Sequence, residues 1–294
     1  MARLIGLFGN RSDLVARVVE HEARVLDVRG RSGKASLGGW GVGFHQGGEV
    51  LIRKRPLEQR AHLSIAELVQ DVRADSVLVH VRPTEDPTRA DGAENTHPFR
   101  YRNWLFAQTG SLPEFPRLRQ RLLESVPDFL TSQIRGETDA EVLFTVFLSF
   151  LHDAGGLELE SSVAEGAQRA LRSTLALADA IGAELGQPPA RINIVVGNGE
   201  VMFGVHRGRA MAYREFATKS DVAALGTDAP GSSRRPDPGN VHVVVLASDF
   251  HVAAPSDSSE FEAVDADALA GWRSIEPGSL ITLRRGLAPE VSPL

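Results

Sequence analysis

Two charged side chains in this sequence have the chemistry to form part of a site for a small molecule. Arg82 ends a valine-rich segment, 76–82, and an arginine can hold a carboxylate through two parallel hydrogen bonds. Asp139 follows Thr138 at the predicted start of a helix, where the helix dipole stabilises an acid. Taken alone, Arg82 could equally be a solvated or ion-paired arginine, and Asp139 could serve only the helix. Both are therefore candidate binding residues whose role depends on their surroundings.

Several kinds of chemistry are excluded because the sequence lacks the residues or the motif spacing that they need. The sequence contains no cysteine, which excludes disulfides, thiolate metal sites and a thiol nucleophile. The nine histidines show no HExxH or other ligand spacing, so we predict no metal site. The glycine-rich run 38–43 is not Gly-x-Gly-x-x-Gly, and neither a basic residue nor a helix start follows it. No nucleotide loop and no cofactor are predicted.

The composition is that of an ordinary globular protein, with 42% hydrophobic and 24% charged residues among 294. A formal net charge of -6 provides no basic surplus, so neither nucleic acid nor anionic lipid is predicted as a partner. No segment approaches the ~20 apolar residues that cross a membrane, and the first apolar run is too short for a signal peptide. We therefore predict a cytoplasmic protein.

Short alternating or valine-rich segments predict many β-strands, and helically spaced apolar residues predict helices between them. The predicted strands are 3–8, 40–44, 50–53, 76–82, 103–107, 192–196, 201–206, 209–213, 241–246 and 280–283. The predicted helices are 12–24, one around 118–126, one from a capping box of Thr138 and Glu141 to about residue 152, and 161–185. Residues 217–240, rich in glycine, proline, serine and aspartate, are predicted to form a long surface loop. This order indicates a single layered α+β domain over 1–294.

Four segments, in order along the chain, carry a family resemblance. They read MARLIG at 1–6, GWGVGF at 39–44, HVR at 80–82 with NTHPF at 95–99 and WLFA at 104–107, and GETDAE at 136–141. The chain resembles the class II glutamine amidotransferases of the N-terminal-nucleophile hydrolase fold, and especially their small stand-alone bacterial members. A weaker likeness to the tail of those proteins lies at Ala247-Ser248-Asp249, Trp272 and Pro277-Gly278.

This resemblance implies a four-layer αββα sandwich and a ligand that is glutamine or a γ-glutamyl small molecule. In the family, an N-terminal cysteine attacks the γ-carboxamide, the α-amine acts as the base, and an Asn-Gly pair donates hydrogen bonds to the oxyanion. Carried over to this sequence, the resemblance makes Arg82 the ligand of the substrate carboxylate and Asp139 the partner of its α-ammonium. It makes Gly110 a backbone donor to the oxyanion.

Three departures from the family pattern fall on the chemistry itself. Ala2 occupies the nucleophile position, and its methyl group cannot attack a carbonyl carbon. Thr109 stands where the oxyanion asparagine belongs, and loss of one such donor typically costs ~10²–10³ in rate. The loop after Arg82 reads PTEDP at 83–87, where the family has small residues. An engineered loss of cysteine would leave position 109 intact, so these departures favour a naturally degenerate site.

Three hypotheses about function remain open. The protein is an amidohydrolase family member whose activity needs a cysteine at position 2, or it is a pseudoenzyme that binds a ligand or a protein partner. In the third hypothesis, the amine of Ala2 acts as a base, and water is the only available nucleophile. All three require that Ala2, Arg82 and Asp139 surround one cleft at the end of a sheet.

Overall fold

The computed structural model describes residues 2–29, 37–58, 62–83, 92–155, 163–226, 241–249 and 266–294. The strands in these ranges are β1 (Arg3–Gly9), β2 (Val28–Arg29), β3 (Leu37–Gln46), β4 (Glu49–Arg55), β5 (His62–Leu63), β6 (Ser76–Pro83), β7 (Phe99–Tyr101), β8 (Trp104–Thr109), β9 (Asn193–Gly197), β10 (Val201–His206), β11 (Met211–Phe216), β12 (Val243–Ser248), β13 (Arg273–Ser274), β14 (Ser279–Arg284) and β15 (Glu290–Pro293). The α-helices are α1 (Val15–His21), α2 (Ala23–Leu26), α3 (Ile65–Val69), α4 (Phe115–Leu123), α5 (Asp128–Thr131), α6 (Asp139–Asp153), α7 (Val163–Glu184) and α8 (Lys219–Ala224), and a 3₁₀ helix spans Ala266–Leu269.

The described strands form two large antiparallel sheets. One has seven strands in the order β13-β11-β12-β1-β6-β3-β4, and the other has six in the order β15-β14-β10-β9-β8-β7. Strands β2 and β5 make a separate two-stranded ribbon. The first strand of the chain thus lies in the middle of the larger sheet, where β6 and β12 pair with it on either side.

Three apolar cores hold these sheets and helices in four layers. On β1, Ile5 and Leu7 pack with helices α1 to α3, whereas Leu4 and Phe8 point into the core between the two sheets. This alternation is the two-residue period of a strand with both faces buried. On the far side, Phe106 of β8 packs with α4, α6 and α7. The fold is therefore the αββα sandwich that the sequence predicts.

The predicted loop 217–240 is wrong for its first part, which contains α8. Thr218 caps this helix: its hydroxyl accepts a hydrogen bond from the Asp221 N–H, and the Asp221 carboxylate accepts one from the Thr218 N–H. Serine, threonine and aspartate are common in loops, but they are also common at the start of helices. Composition alone therefore does not predict α8. Residues 227–240 lie outside the described residues.

The start of α6 also differs in detail from the predicted capping box. Thr138 accepts a hydrogen bond from the Glu141 N–H at 3.3 Å, as expected of an N-cap residue. The Glu141 carboxylate instead accepts hydrogen bonds from the N–H groups of Arg135 at 2.9 Å and Gly136 at 2.7 Å. The preceding loop is thereby fixed to the helix, and this arrangement sets the position of Asp139.

The glycines of the GWGVGF segment allow another segment to approach β3 closely. A Cβ at Gly41 would lie 1.9 Å from the carbonyl oxygen of His97, a backbone atom that cannot move aside. His97 is itself buried and stacks on His80 of β6 with ring centroids 4.2 Å apart. The glycine therefore serves packing, and His97 is a packed histidine of the interior.

We predict that Gly41→Ala destabilises the protein by about 3 kcal/mol or more, since the added methyl group must displace backbone. Gly166→Ala in α7 is the matched control, because a Cβ there meets nothing within 4 Å. It should raise stability by about 0.5–1 kcal/mol through helix propensity. Urea unfolding of both variants measures the difference, and equal effects would contradict the close approach.

Candidate functional site

The start of the chain lies at the end of the larger sheet. Arg3 is opposite Val81 of β6, and Leu4 is opposite Ser248 of β12. The same antiparallel register places Ala2, which is half-buried, opposite Arg82. Ala2, Arg82 and the end of β12 are therefore neighbours at one sheet end.

A buried carboxylate, Asp249, joins this sheet end to the second sheet. It follows β12, is 6% exposed and has a φ of 62°. Its Oδ2 accepts a hydrogen bond from the Thr109 hydroxyl at 2.5 Å and another from the Ser248 hydroxyl. Because Thr109 ends β8 of the other sheet, this hydrogen bond connects the two sheets directly.

Burial sets the charge behaviour of this cluster. Removal from water raises the pKa of Asp249, although hydrogen bonds from Ser248 and Thr109 and the positive charge of Arg3 act in the opposite direction. Burial also lowers the pKa of Arg3 to about 10, with the charge of Asp249 opposing that shift. Arg3 therefore stays a cation at neutral pH, and its guanidinium donates to the carbonyl oxygen of Val25 at 2.5 Å.

Gly110, which follows Thr109, adopts a backbone conformation that favours glycine. Its φ is 81°, and a Cβ there would lie 2.3 Å from the carbonyl oxygen of Arg191. The Gln108 side-chain amide spans the short distance from this turn to α6, since its Nε2 donates to Asp139 Oδ2 at 3.3 Å. Thr109, Gly110 and Asp139 are thus brought together through Gln108.

Asp139 is itself buried, 7% exposed, and its carboxylate accepts several hydrogen bonds within the protein. Besides the Gln108 amide, Oδ2 accepts from the Leu112 N–H at 2.7 Å, and Oδ1 accepts from the Ala140 N–H at 2.9 Å. Asp139 therefore fixes the segment after β8 against the start of α6. It also lies in the wall of a cleft of about 980 Å³, which is lined by residues 111–116, Arg119 and 137–139.

Arg82 makes hydrogen bonds to backbone on the other side of this sheet end. It is 4% exposed, and its Nε and Nη2 donate to the carbonyl oxygens of Gly38 at 3.1 Å and Pro56 at 2.9 Å. These bonds tie the start of β3 and the end of β4 to β6. They engage Nε and Nη2, two of the nitrogens through which a guanidinium can hold a carboxylate.

Sequence reasoning assigned no role to Asp249 or Arg3, although both belong to this cluster. The signal for Arg3 is a charged residue that begins a wholly apolar strand. The signal for Asp249 is an acid directly after the valine-rich β12. Among the described residues no group of histidine, aspartate and glutamate has the arrangement of a metal site, and no helix there is long and apolar enough to cross a membrane.

The chain belongs to the class II glutamine amidotransferases. A family model described as "Glutamine amidotransferases class-II" matches residues 1–293, which is nearly the whole chain. The predicted family is therefore confirmed.

Two curated relatives carry the same class of name. "Probable glutamine amidotransferase DUG3" of Saccharomyces cerevisiae is 24% identical over 233 residues, covering 76% of this chain and 60% of that protein. "Putative glutamine amidotransferase YafJ" of Escherichia coli is 34% identical over 113 residues, covering 36% of this chain and 39% of that protein. The chain thus aligns with less than two thirds of the length of either relative.

Solved structures share the fold at low sequence identity. A glutamine aminotransferase class-II domain protein from Silicibacter pomeroyi matches 99% of this chain and 98% of its own, with a TM-score of 0.55 and 15% identity. A protein from Pseudomonas aeruginosa described as a "predicted glutamine amidotransferase" matches 98% of both chains, with a TM-score of 0.53 and 19% identity. The glutamine phosphoribosylpyrophosphate amidotransferase of Bacillus subtilis matches 99% of this chain but 49% of its own, with a TM-score of 0.54 and 15% identity.

We predict that Asp249→Asn gains stability relative to the parent as the pH rises from about 4 to 7. The folded protein binds the Asp249 proton more tightly than the unfolded chain does. The stability that this contributes is full below the ordinary pKa of 3.8 and is lost as the pH rises through the raised pKa. Asparagine keeps the hydrogen-bond acceptor, tolerates the positive φ and does not titrate in this range.

Asp13→Asn is the control of opposite sign. The hydrogen bond from Arg11 lowers the pKa of Asp13, so the parent gains stability from this group as the pH rises. Urea unfolding at several pH values from about 4 to 7 gives both differences. A pH-independent difference for Asp249→Asn would contradict the burial of that carboxylate.

Proposed function

We propose that this chain is a non-catalytic member of the class II glutamine amidotransferases, a pseudoenzyme that acts as a binding or scaffolding protein. The observation that carries this proposal is that the polar groups at the sheet end form hydrogen bonds within the protein. Thr109, Arg82 and Asp139 each have hydrogen-bond partners inside the protein. The residues that the family resemblance assigns to substrate thus serve the fold.

The loss of chemistry begins with the nucleophile. Amide hydrolysis in this family needs a thiolate at the start of the chain, and position 2 is alanine. With no cysteine anywhere in the sequence, no other thiol can replace it. Water activated by the Ala2 amine would still need the charge of a tetrahedral intermediate to be stabilised.

The oxyanion position offers little compensation. A threonine hydroxyl could in principle donate to an oxyanion, but the Thr109 hydroxyl donates to Asp249 at 2.5 Å. A carboxylate nearby would also repel a developing negative charge. Position 109 therefore supports inter-sheet packing better than it supports acyl transfer.

A second candidate function is amide hydrolysis that has been lost at position 2 alone. The retention of Arg82 and Asp139 favours it, as does the cleft of about 980 Å³ beside Asp139. Its substrate would be glutamine or a γ-glutamyl small molecule. The two candidates differ in whether a restored thiol suffices for turnover.

We predict that Ala2→Cys releases no ammonia from glutamine or from γ-glutamyl amides above the parent's background. Thr109→Asn in the same chain adds the missing donor, which is worth ~10²–10³ in rate in an intact site. The double variant should nevertheless stay inactive, because Arg82 and Asp139 keep their internal partners. Since this thiol is the only one in the chain, its alkylation by iodoacetamide shows whether it is accessible. Turnover by Ala2→Cys alone at about 1 s⁻¹ or faster would establish the second candidate instead, and turnover by the double variant alone would place the loss at both positions.

We also predict that Arg82→Ala and Asp139→Asn each lower the free energy of unfolding by about 1–3 kcal/mol, because each leaves buried backbone groups without partners. Neither should change glutamine binding, which we expect to be weaker than a Kd of about 1 mM. Arg121→Ala is the control, since Arg121 pairs with Glu184 on the surface and its loss should leave stability unchanged. Tight glutamine binding that both variants weaken would support the hydrolase candidate.

A further inference from the structure

A second, smaller pocket lies where the edges of both sheets meet the helices. It has a volume of about 210 Å³ and is bounded by β4, β7, α5, α6 and the loop that joins the two helices. Strands β4 and β7 are the edge strands of their sheets. The pocket is therefore formed by elements other than those that carry Ala2, Thr109 and Gly110.

Helix α6 separates this pocket from the cleft beside Asp139. The pocket-lining residues of α6 are Glu141, Phe144, Thr145 and Leu148. At about 100° per residue, all four lie within about 60° of the direction opposite Asp139. The two cavities are thus on opposite faces of one helix, and a ligand in one does not touch the other.

The walls of this pocket are largely apolar and aromatic. Phe99 and Tyr101 of β7, Phe144 and Leu148 of α6, and Ile52 of β4 line it. Such surface favours the aromatic ring or alkyl chain of a small ligand. The volume is enough for a ligand about the size of an aromatic amino acid.

Cations lie at one side of these apolar walls. The Lys54 ammonium is 5.3 Å from the Phe99 ring centroid and donates one hydrogen bond, to the Ala93 carbonyl oxygen at 3.1 Å. An ammonium has three N–H donors, and among the described residues only one of those of Lys54 is used. Two donors therefore remain for a ligand. Burial lowers the pKa of Lys54. Arg135 also lines the pocket, and its exposed side chain makes no hydrogen bond to the described residues.

The two acidic residues of the pocket, Glu141 and Glu94, act on the Lys54 ammonium but are outnumbered by Lys54, Arg100 and Arg135. Glu141 is buried and already accepts hydrogen bonds from the N–H groups of Arg135 and Gly136. Glu94 is exposed to solvent, where its charge is well screened. Arg100 adds a further positive charge at the rim. The pocket therefore favours an anion over a cation.

We propose that this pocket binds a small organic carboxylate with an aromatic or aliphatic body. The body lies against Phe99 and Phe144, and the carboxylate accepts hydrogen bonds from Lys54 and Arg135. A neutral amide of the same shape offers Lys54 one carbonyl acceptor, but it has neither the negative charge nor the second acceptor oxygen of a carboxylate, so charge and apolar surface are both required. This inference does not rest on the proposed function, because the two sites share no lining residue.

The test is a titration of the purified protein with 3-phenylpropanoate, followed by calorimetry or by NMR. We expect saturable binding that is at least tenfold tighter than binding of the neutral 3-phenylpropanamide or of acetate. Lys54→Met should weaken it at least tenfold, and Arg135→Gln about threefold. Lys219→Met, which removes an exposed lysine at the start of α8, is the matched control and should have no effect.

Three results would overturn the proposal: no saturable binding, equal binding of the amide, or unchanged binding in both Lys54→Met and Arg135→Gln. Arg135 is exposed, so its substitution leaves the fold intact and keeps the test decisive if Lys54→Met does not fold. A failure here would leave the Ala2→Cys experiment unaffected, because that assay reports on a separate site.

Discussion

The Asp249 carboxylate at the end of β12 is the interaction on which the rest of this site depends. β1 runs between β6 and β12, so the start of the chain, the end of β6 and Asp249 must share one sheet end. Asp249 then accepts a hydrogen bond from Thr109 of the second sheet. A buried carboxylate without donors would be costly, so the hydrogen bonds from Thr109 and Ser248 both stabilise Asp249, and the one from Thr109 also joins the two sheets.

This use of the Thr109 hydroxyl differs from what the chemistry of the family needs. A catalytic site needs donors that point at the position where charge develops, and these donors must not be used elsewhere. Here the Thr109 hydroxyl, the Arg82 guanidinium and the Asp139 carboxylate stabilise loops and strand ends instead. Under the proposed function, these bonds do not compete with catalysis, because position 2 is alanine.

Local pattern explains which parts of this structure could be predicted from the sequence. Valine-rich alternation located β6 and β12, and the Thr138 cap located α6 and hence Asp139, because these signals lie within a few residues. The contact between Thr109 and Asp249 spans 140 residues, and no local spacing reveals it. The pocket between two sheet edges is also built from segments distant in sequence. Glu141 is a local case: its spacing from Thr138 matches a capping box, yet its carboxylate accepts from the loop five and six residues earlier.

A double-mutant cycle between Thr109 and Asp249 tests the central claim most directly. Thr109→Val removes the donor, and Asp249→Gly removes the acceptor while allowing the φ of 62°. We expect the two changes in unfolding free energy to couple by about 1–3 kcal/mol, the value of a buried hydrogen bond to a charged group. Additivity within about 0.3 kcal/mol would show that Thr109 is not committed to Asp249, and would contradict this account.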